Sequence, residues 1–386
     1  MERATEKIWL ARPEMMGNEA LYVQKSLESG WITSAYNEES YIGKFERSVE
    51  GFLKFGKAVA VNSGTSSIHL ALLMAGVQKG DMVFCSDLTF AASANPIRYI
   101  GAEPVFIDSE MDTMNMDPDA LEKAFSTGLL PKAVIVVHVY GTPANMDRIM
   151  NICSRYGVPV IEDATESFGA VADGEMVGTI GDFGCLSFNG NKMITAGGTG
   201  GMLICRNEEE ARRAAFIASQ AKEAVPWYEH KEVGYNYRMA NMNAAFGCAQ
   251  MEHIEERITR KIAIWDRYRN AFREVNCGIH MNPIRVGTTV GVAWLSCAHI
   301  DPDIKKKPEY VIEELGKLNI EARRIWKPLH RQPVFQNCRR FSGAYNGSIY
   351  VSDYHFLTGI CLPSDTRMTN EEQDYVIESV LHILEV

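Results

Sequence analysis

The chain has 386 residues, 46% of them hydrophobic and 23% charged, with 49 acidic against 39 basic side chains and a net charge of −10. This is an ordinary globular composition, long enough for two domains sharing a packed interface. An acidic balance argues against a nucleic-acid surface, and no apolar run approaches the roughly 18 residues that cross a membrane.

Short β-rich runs at 58–61, 82–86, 104–107, 133–137, 158–162, 184–188 and 202–205 are predicted strands. Between them, 68–75, 91–100, 118–125, 146–156 and 208–217 read as helices. Alternation of this kind, with near-continuous apolar strands, predicts an α/β fold with a mostly parallel sheet covered on both faces. Ligands of such sheets bind beyond the carboxyl ends of the strands. From Asn241 a charged helical stretch is predicted to reach about Val275, followed by a shorter α+β region ending in a helix over 370–384. The expected division is a large domain over 1–250 and a small one over 251–386.

Nine scattered cysteines include no CxxC pair, and most sit in apolar runs, as Cys85 and Cys205 do. Reduced core thiols, no zinc and no other metal are expected. The first residues lack the apolar stretch of a signal peptide, so a cytoplasmic location is expected.

Chemistry concentrates at strand ends. Lys192 follows a strand-like run and precedes the glycine-rich segment ending at Gly201, and Asp163 closes the run Val158-Pro-Val-Ile-Glu. A lysine and an acid at neighbouring strand ends are what pyridoxal phosphate (PLP) requires: an amine for the Schiff base, and a carboxylate to keep the pyridinium nitrogen protonated. Asp163 alone reads equally as a helix cap. Gly64, Thr65 and Ser66 open a helix after a strand, and serve either as a plain cap or as a phosphate cradle. Ser187 is either a further hydroxyl for that phosphate or a half-buried strand serine. Phe90 either stacks on a planar cofactor or packs in the core. Glu166 either reaches the ring hydroxyl or stands solvated on a helix. The loop Gly234-Tyr-Asn236-Tyr-Arg238 is dense in donors. Arg323 to Arg331 forms a basic run with Trp326, Lys327 and His330, read as a phosphate-bearing substrate's contact or a surface charge run.

Taken together, Asn62-Ser-Gly-Thr65, Leu88-Thr-Phe90, His138-Val-Tyr-Gly141, Ile161-Glu-Asp163-Ala, Asn191-Lys192 and Gly234-Tyr-Asn-Tyr-Arg-Met239 resemble the DegT/DnrJ/EryC1/StrS sugar aminotransferases across nearly the whole chain. The resemblance implies fold type I, the aspartate aminotransferase-like PLP-dependent transferase fold. It makes Lys192 the Schiff-base lysine and proton shuttle, Asp163 the pyridinium partner, and Phe90 the stacking ring. Glu166 then lies near the ring hydroxyl, and Gly64, Thr65, Ser66 and Ser187 hold the phosphate. Asn236 is expected to reach the phosphate in the neighbouring subunit of a homodimer. Trp31, His230, Arg238, Lys327 and His330 are the candidate substrate contacts.

The implied reaction moves an amino group from glutamate to the keto carbon, C4 favoured, of a UDP-linked keto-deoxy sugar, for a surface glycan or amino-sugar product. Ser187 to Lys192, Gln220-Ala-Lys-Glu223 and Tyr228-Glu-His230 look nearest to enzymes of the UDP-bacillosamine type. Asp365 departs from that subgroup, which usually has glycine there. Two alternatives are a sugar 3-dehydratase of the same fold, in which histidine replaces the lysine, and a cofactor-binding regulator. Lys192 argues against the first. The lack of a basic patch or helix-turn-helix argues against the second.

Overall fold

The computed structural model describes residues 3–385 except 36, 38, 276, 277 and 344–348, so Cys277 lies outside the described residues. Its centre is an eight-stranded sheet. In spatial order the strands are Lys57–Val61, Gly201–Cys205, Phe183–Ser187, Val160–Asp163, Ala133–Val137, Met82–Ser86, Glu103–Ile107 and Arg340–Phe341. All run parallel except Gly201–Cys205, which is antiparallel to both neighbours. Residues 188–200 contain no helix. A parallel neighbour needs a helical crossover, so a chain that returns without one must pair antiparallel.

The seven strands read from sequence match within a residue or two at each end, and the short edge strand Arg340–Phe341 was not read. Ala133–Val137 is buried at every position, as a strand covered on both faces must be. One face of the sheet packs on the helix Gly64–Met74 through Ile68, Leu70 and Leu72. The other face packs in part on Met146–Tyr156, which buries Met146, Ile149, Ile152 and Cys153 at helical spacing. That helix starts where Asn145 accepts a hydrogen bond from the Arg148 N–H and stops at Gly157, whose φ of 65° is open to glycine.

Two helices, Glu19–Glu28 and Tyr41–Leu53, precede the first strand and were not read from the sequence. The stretch predicted as one long helix from Asn241 is two, Asn241–Met251 and Ile254–Val275. The reason lies in what each buries. The first packs Ala244 and Met251 into the large-sheet core, and the second turns Ile264, Tyr268 and Phe272 into a separate core. Glu252, at the break, accepts hydrogen bonds from Asn18 Nδ2 (2.8 Å) and the Tyr22 hydroxyl (2.5 Å).

The separate core lies under an antiparallel sheet of Ile279–Met281, Ser296–Ile300, Gly359–Leu362 and Arg323–Arg324, closed by the helix Asn370–Leu384. A capping box of Thr369 and Glu372 starts that helix. Among the described residues no helix is long and apolar enough to cross a membrane.

Candidate active site

A cavity of about 400 Å³ opens at the carboxyl ends of the parallel strands and is lined by Gly64, Thr65, Phe90, Asp163, Glu166, Ser187 and Lys192 among others. Seven of the residues singled out from sequence therefore meet in one place. The topology explains why. Asp163 and Ser187 end adjacent parallel strands, and the helix Gly64–Met74 starts just after the edge strand Lys57–Val61.

Asp163 is buried, and its carboxylate is fixed by two donors. The Ser93 hydroxyl donates to Oδ2 at 2.6 Å and the Thr165 N–H to Oδ1 at 3.2 Å. Ser93 is itself hydrogen-bonded to the Thr89 hydroxyl at 2.8 Å. The preceding Glu162 belongs to a different task. It accepts from the N–H groups of Gly178, Ile180 and Gly181 and pairs with His138 Nε2 at 3.0 Å, holding the loop beneath the site.

Lys192 Nζ lies 3.7 Å from Glu166 Oε1 and 3.9 Å from the centroid of the Trp294 ring. Burial pushes the lysine below its ordinary pKa, while Glu166 and Asp163 pull it back up. Burial also raises Glu166, against the pull of Lys192 and of the Tyr140 N–H, which donates to Oε2 at 2.8 Å. Both groups are thus driven toward their neutral forms. In its neutral form such an amine can act as nucleophile and as proton carrier.

At the other end of the cavity, Ser63 caps the helix by accepting from the Ser66 N–H at 3.1 Å. The first-turn N–H groups of Gly64 and Thr65 have no acceptor within their own helix. A Cβ on Gly64 would stand 3.0 Å from both Ser187 Cβ and Thr165 Cγ2, so the cradle is shaped for a residue without a side chain. Phe90 is 55% exposed and lines the opening, with its ring 5.3 Å from that of Trp326. Core packing is thereby ruled out for it. A free amine, a fixed buried carboxylate, a helix N-terminus cut for an anion and an exposed aromatic wall are the donor set that suits PLP.

Other expected residues lie elsewhere. Ser66 does not line the cavity; its hydroxyl is bonded to Asn62 Oδ1 at 2.6 Å. Asn236 is exposed on the outer edge, where its carbonyl accepts from Asn62 Nδ2. Trp31 is exposed, His230 is an exposed residue bonded to the Gln220 carbonyl, and Lys327 is exposed and does not line the cavity. Arg238 pairs with buried Glu46 at 3.2 Å. His330 is buried between Asp87 (2.5 Å) and Asp353 (3.3 Å), which ties its segment to the residue following the strand Met82–Ser86. Asp365 is not in the cavity either; it pairs with Arg12.

The sequence reading missed Ser93, Thr165 and Trp294 as wall residues, and named Trp326 only within the basic run at 323–331. The four-residue spacing of Thr89 and Ser93 was a signal for the first. Nothing local marks Trp294, which arrives from beyond the long helices.

The DegT/DnrJ/EryC1/StrS aminotransferase family model matches residues 13–381. EpsN of Bacillus subtilis (strain 168), whose name describes a PLP-dependent aminotransferase, is 45% identical over 382 residues, 98% of this chain and 96% of its own. GDP-perosamine synthase of Escherichia coli O157:H7 is 34% identical over 369 residues, 96% of each chain. Among solved structures, a DegT DnrJ EryC1 StrS aminotransferase from Brucella abortus superposes with a TM-score of 0.86 at 24% identity, covering 96% of each chain, and confirms the fold. With the lysine, its carboxylate neighbours and the anion cradle in one cavity, the chain belongs to the DegT/DnrJ/EryC1/StrS family and is a PLP-dependent aminotransferase.

Proposed function

We propose that the protein transfers an amino group from glutamate to the keto carbon, C4 favoured, of a nucleotide-linked keto-deoxy sugar. The observation that carries this reading is Lys192, whose amine lines the cavity 3.7 Å from Glu166 and within the field of Asp163. PLP, when bound, supplies the electron sink that stores the amino group between donor and acceptor. The chain's residues do the rest. Lys192 takes a proton from the donor's carbon and returns one to the sugar's carbon. Asp163 keeps a fixed negative charge opposite the ring nitrogen, oriented by Ser93 and Thr165. Gly64, Thr65 and Ser187 would hold the cofactor's phosphate, and Phe90 would supply an aromatic contact to its ring.

The 4-amino sugar is supported by the resemblance of residues 187–192 and 220–230 to the UDP-bacillosamine type. A GDP-linked sugar is the second reading, favoured by the 34% identity to a GDP-perosamine synthase. The active unit we propose is a two-fold dimer, since Asn236 and Trp31 are exposed outside their own cavity and free to reach a second copy's.

The test is direct. Wild-type protein loaded with the amine form of the cofactor is mixed in turn with UDP-, TDP- and GDP-keto sugars, and return of the original cofactor absorbance is followed. One nucleotide class should restore it, with an amino sugar as product. Lys192→Ala should show no turnover. Undiminished turnover in that variant, or restoration by none of the sugars, would sink the reading.

A further inference from the structure

Trp294 sits where the backbone is strained. Its neighbour Ala293 has a φ of 48°, a left-handed conformation that a residue with a Cβ seldom adopts. Such conformations persist only where surrounding contacts impose them. Here the contacts are visible. The Trp294 indole N–H donates to the Asn191 carbonyl at 2.6 Å, and the Trp294 carbonyl accepts from Lys261 Nζ at 2.9 Å. The same Nζ donates to the Ser364 carbonyl at 2.5 Å. Lys261 is buried, and is faced by Asp365, Glu14 and Arg257. One buried amino group, its pKa pushed down by burial to about 7, therefore clamps the loop before Ser296–Ile300 to the turn after Gly359–Leu362.

We propose that Trp294 is a catalytic residue whose indole face holds the ammonium form of Lys192, and that Lys261 is the positioning residue that fixes that face. The proposal rests on the reading of Lys192 as the proton-carrying amine. Lys192 Nζ has two attractors among the groups that face it. Glu166 is a carboxylate at 3.7 Å, with Asp163 contributing at longer range, and the Trp294 ring lies at 3.9 Å. The carboxylates can take the proton away from the amine. An aromatic face cannot, because it attracts the cation through its quadrupole and has no basic site. Trp294 thus keeps a proton on Lys192 until the substrate carbon claims it.

The test reads Lys192 itself. The full-length protein is freed of cofactor, and the pH dependence of Lys192 acylation by acetic anhydride is followed by mass spectrometry. Trp294→Leu should lower the midpoint by about one pH unit, tenfold in the protonation equilibrium. Trp294→Phe, which keeps an aromatic face, should recover at least half of that shift. Lys261→Met should lower the midpoint too, because the ring loses its anchor. The sign matters, since removing a nearby positive charge would by itself raise the midpoint. An unchanged midpoint in Trp294→Leu, or one equal to it in Trp294→Phe, overturns the catalytic assignment. A raised or unchanged midpoint in Lys261→Met overturns the positioning role. Should Lys261→Met not fold, Lys261→Gln is judged by the same criterion. No substrate enters this measurement, so its failure is separable from failure of the transfer reaction, which the sugar panel and Lys192→Ala decide.

Discussion

Arg12 Nε lies 2.5 Å from Asp365 Oδ2, joining two residues 353 positions apart in the chain. The second oxygen of Asp365 accepts from the Arg367 N–H at 3.0 Å. The carboxylate that departs from the subgroup pattern is therefore engaged within the protein. It ties the N-terminal segment to the turn that Lys261 also grips.

Asp365→Gly should lower the free energy of unfolding by about 2 kcal/mol, between the value of a surface pair and that of a fully buried one, because Arg12 remains one-third exposed. The relative rates on competing sugar nucleotides should stay within about twofold. Urea titration checks the first expectation and competition kinetics the second. A change of preferred sugar with stability intact would assign Asp365 to substrate recognition.

Gly64→Ala tests the anion cradle. The added methyl meets Ser187 and Thr165 at 3.0 Å, so the loss should fall on cofactor affinity, on the order of tenfold, since each tenfold is about 1.4 kcal/mol. The cap at Ser63 is untouched, and helix content should not change. Equilibrium dialysis against PLP gives the affinity. Wild-type affinity in this variant would place the phosphate elsewhere.

Ser93→Ala removes one donor from the buried Asp163 carboxylate. A hydrogen bond to a charged group contributes about 1.5–3 kcal/mol, so kcat/KM should drop by roughly ten- to a hundredfold. Asp163→Asn should lose more, because the charge itself disappears. Equal kinetics for Ser93→Ala and wild type would show that Thr165 alone suffices to orient Asp163.

His330 gives a pH dependence of stability. Burial lowers its pKa, but the hydrogen bonds it donates to the Asp353 and Asp87 carboxylates outweigh that and hold it at about 9, against an ordinary 6.5. A histidine raised in the folded state contributes in full below about pH 6.5 and loses that contribution as pH rises through about 9. The contribution is about 3 kcal/mol. Unfolding free energies of wild type should fall across that window, while those of His330→Asn should be lower at pH 6 and nearly flat in this region. Parallel slopes for the two proteins would mean that His330 is neutral when folded.

The local chemistry of the cofactor site was legible because strand ends are marked in sequence. An apolar run of about five residues ending in a polar one places that residue at the sheet's carboxyl edge, as Asp163 and Ser187 show, and Lys192 follows five residues beyond the second of these ends. Gly64 and Thr65 are visible for a related reason, since helix starts carry small, hydrogen-bonding residues. Glu19–Glu28 carries no side-chain cap and gains its place by packing on Asn241–Met251, whereas Tyr41–Leu53, with its cap at Ser40 and apolar residues at 42, 45, 49 and 53, had a legible helical pattern that was overlooked.

By itself the sequence pointed to PLP through lysine 192 and an aspartate at a neighbouring strand end, and its resemblance to the DegT/DnrJ/EryC1/StrS family implied amine transfer as the reaction class. Which residues stand around that lysine was decided by the tertiary structure alone. Trp294 and Ser93 reach it through long-range packing, while His330, Arg238 and Asp365 are drawn into ion pairs away from it. A charged side chain in sequence carries no record of its partner. Burial penalises it unless a counter-charge is found, and only the folded chain settles which one.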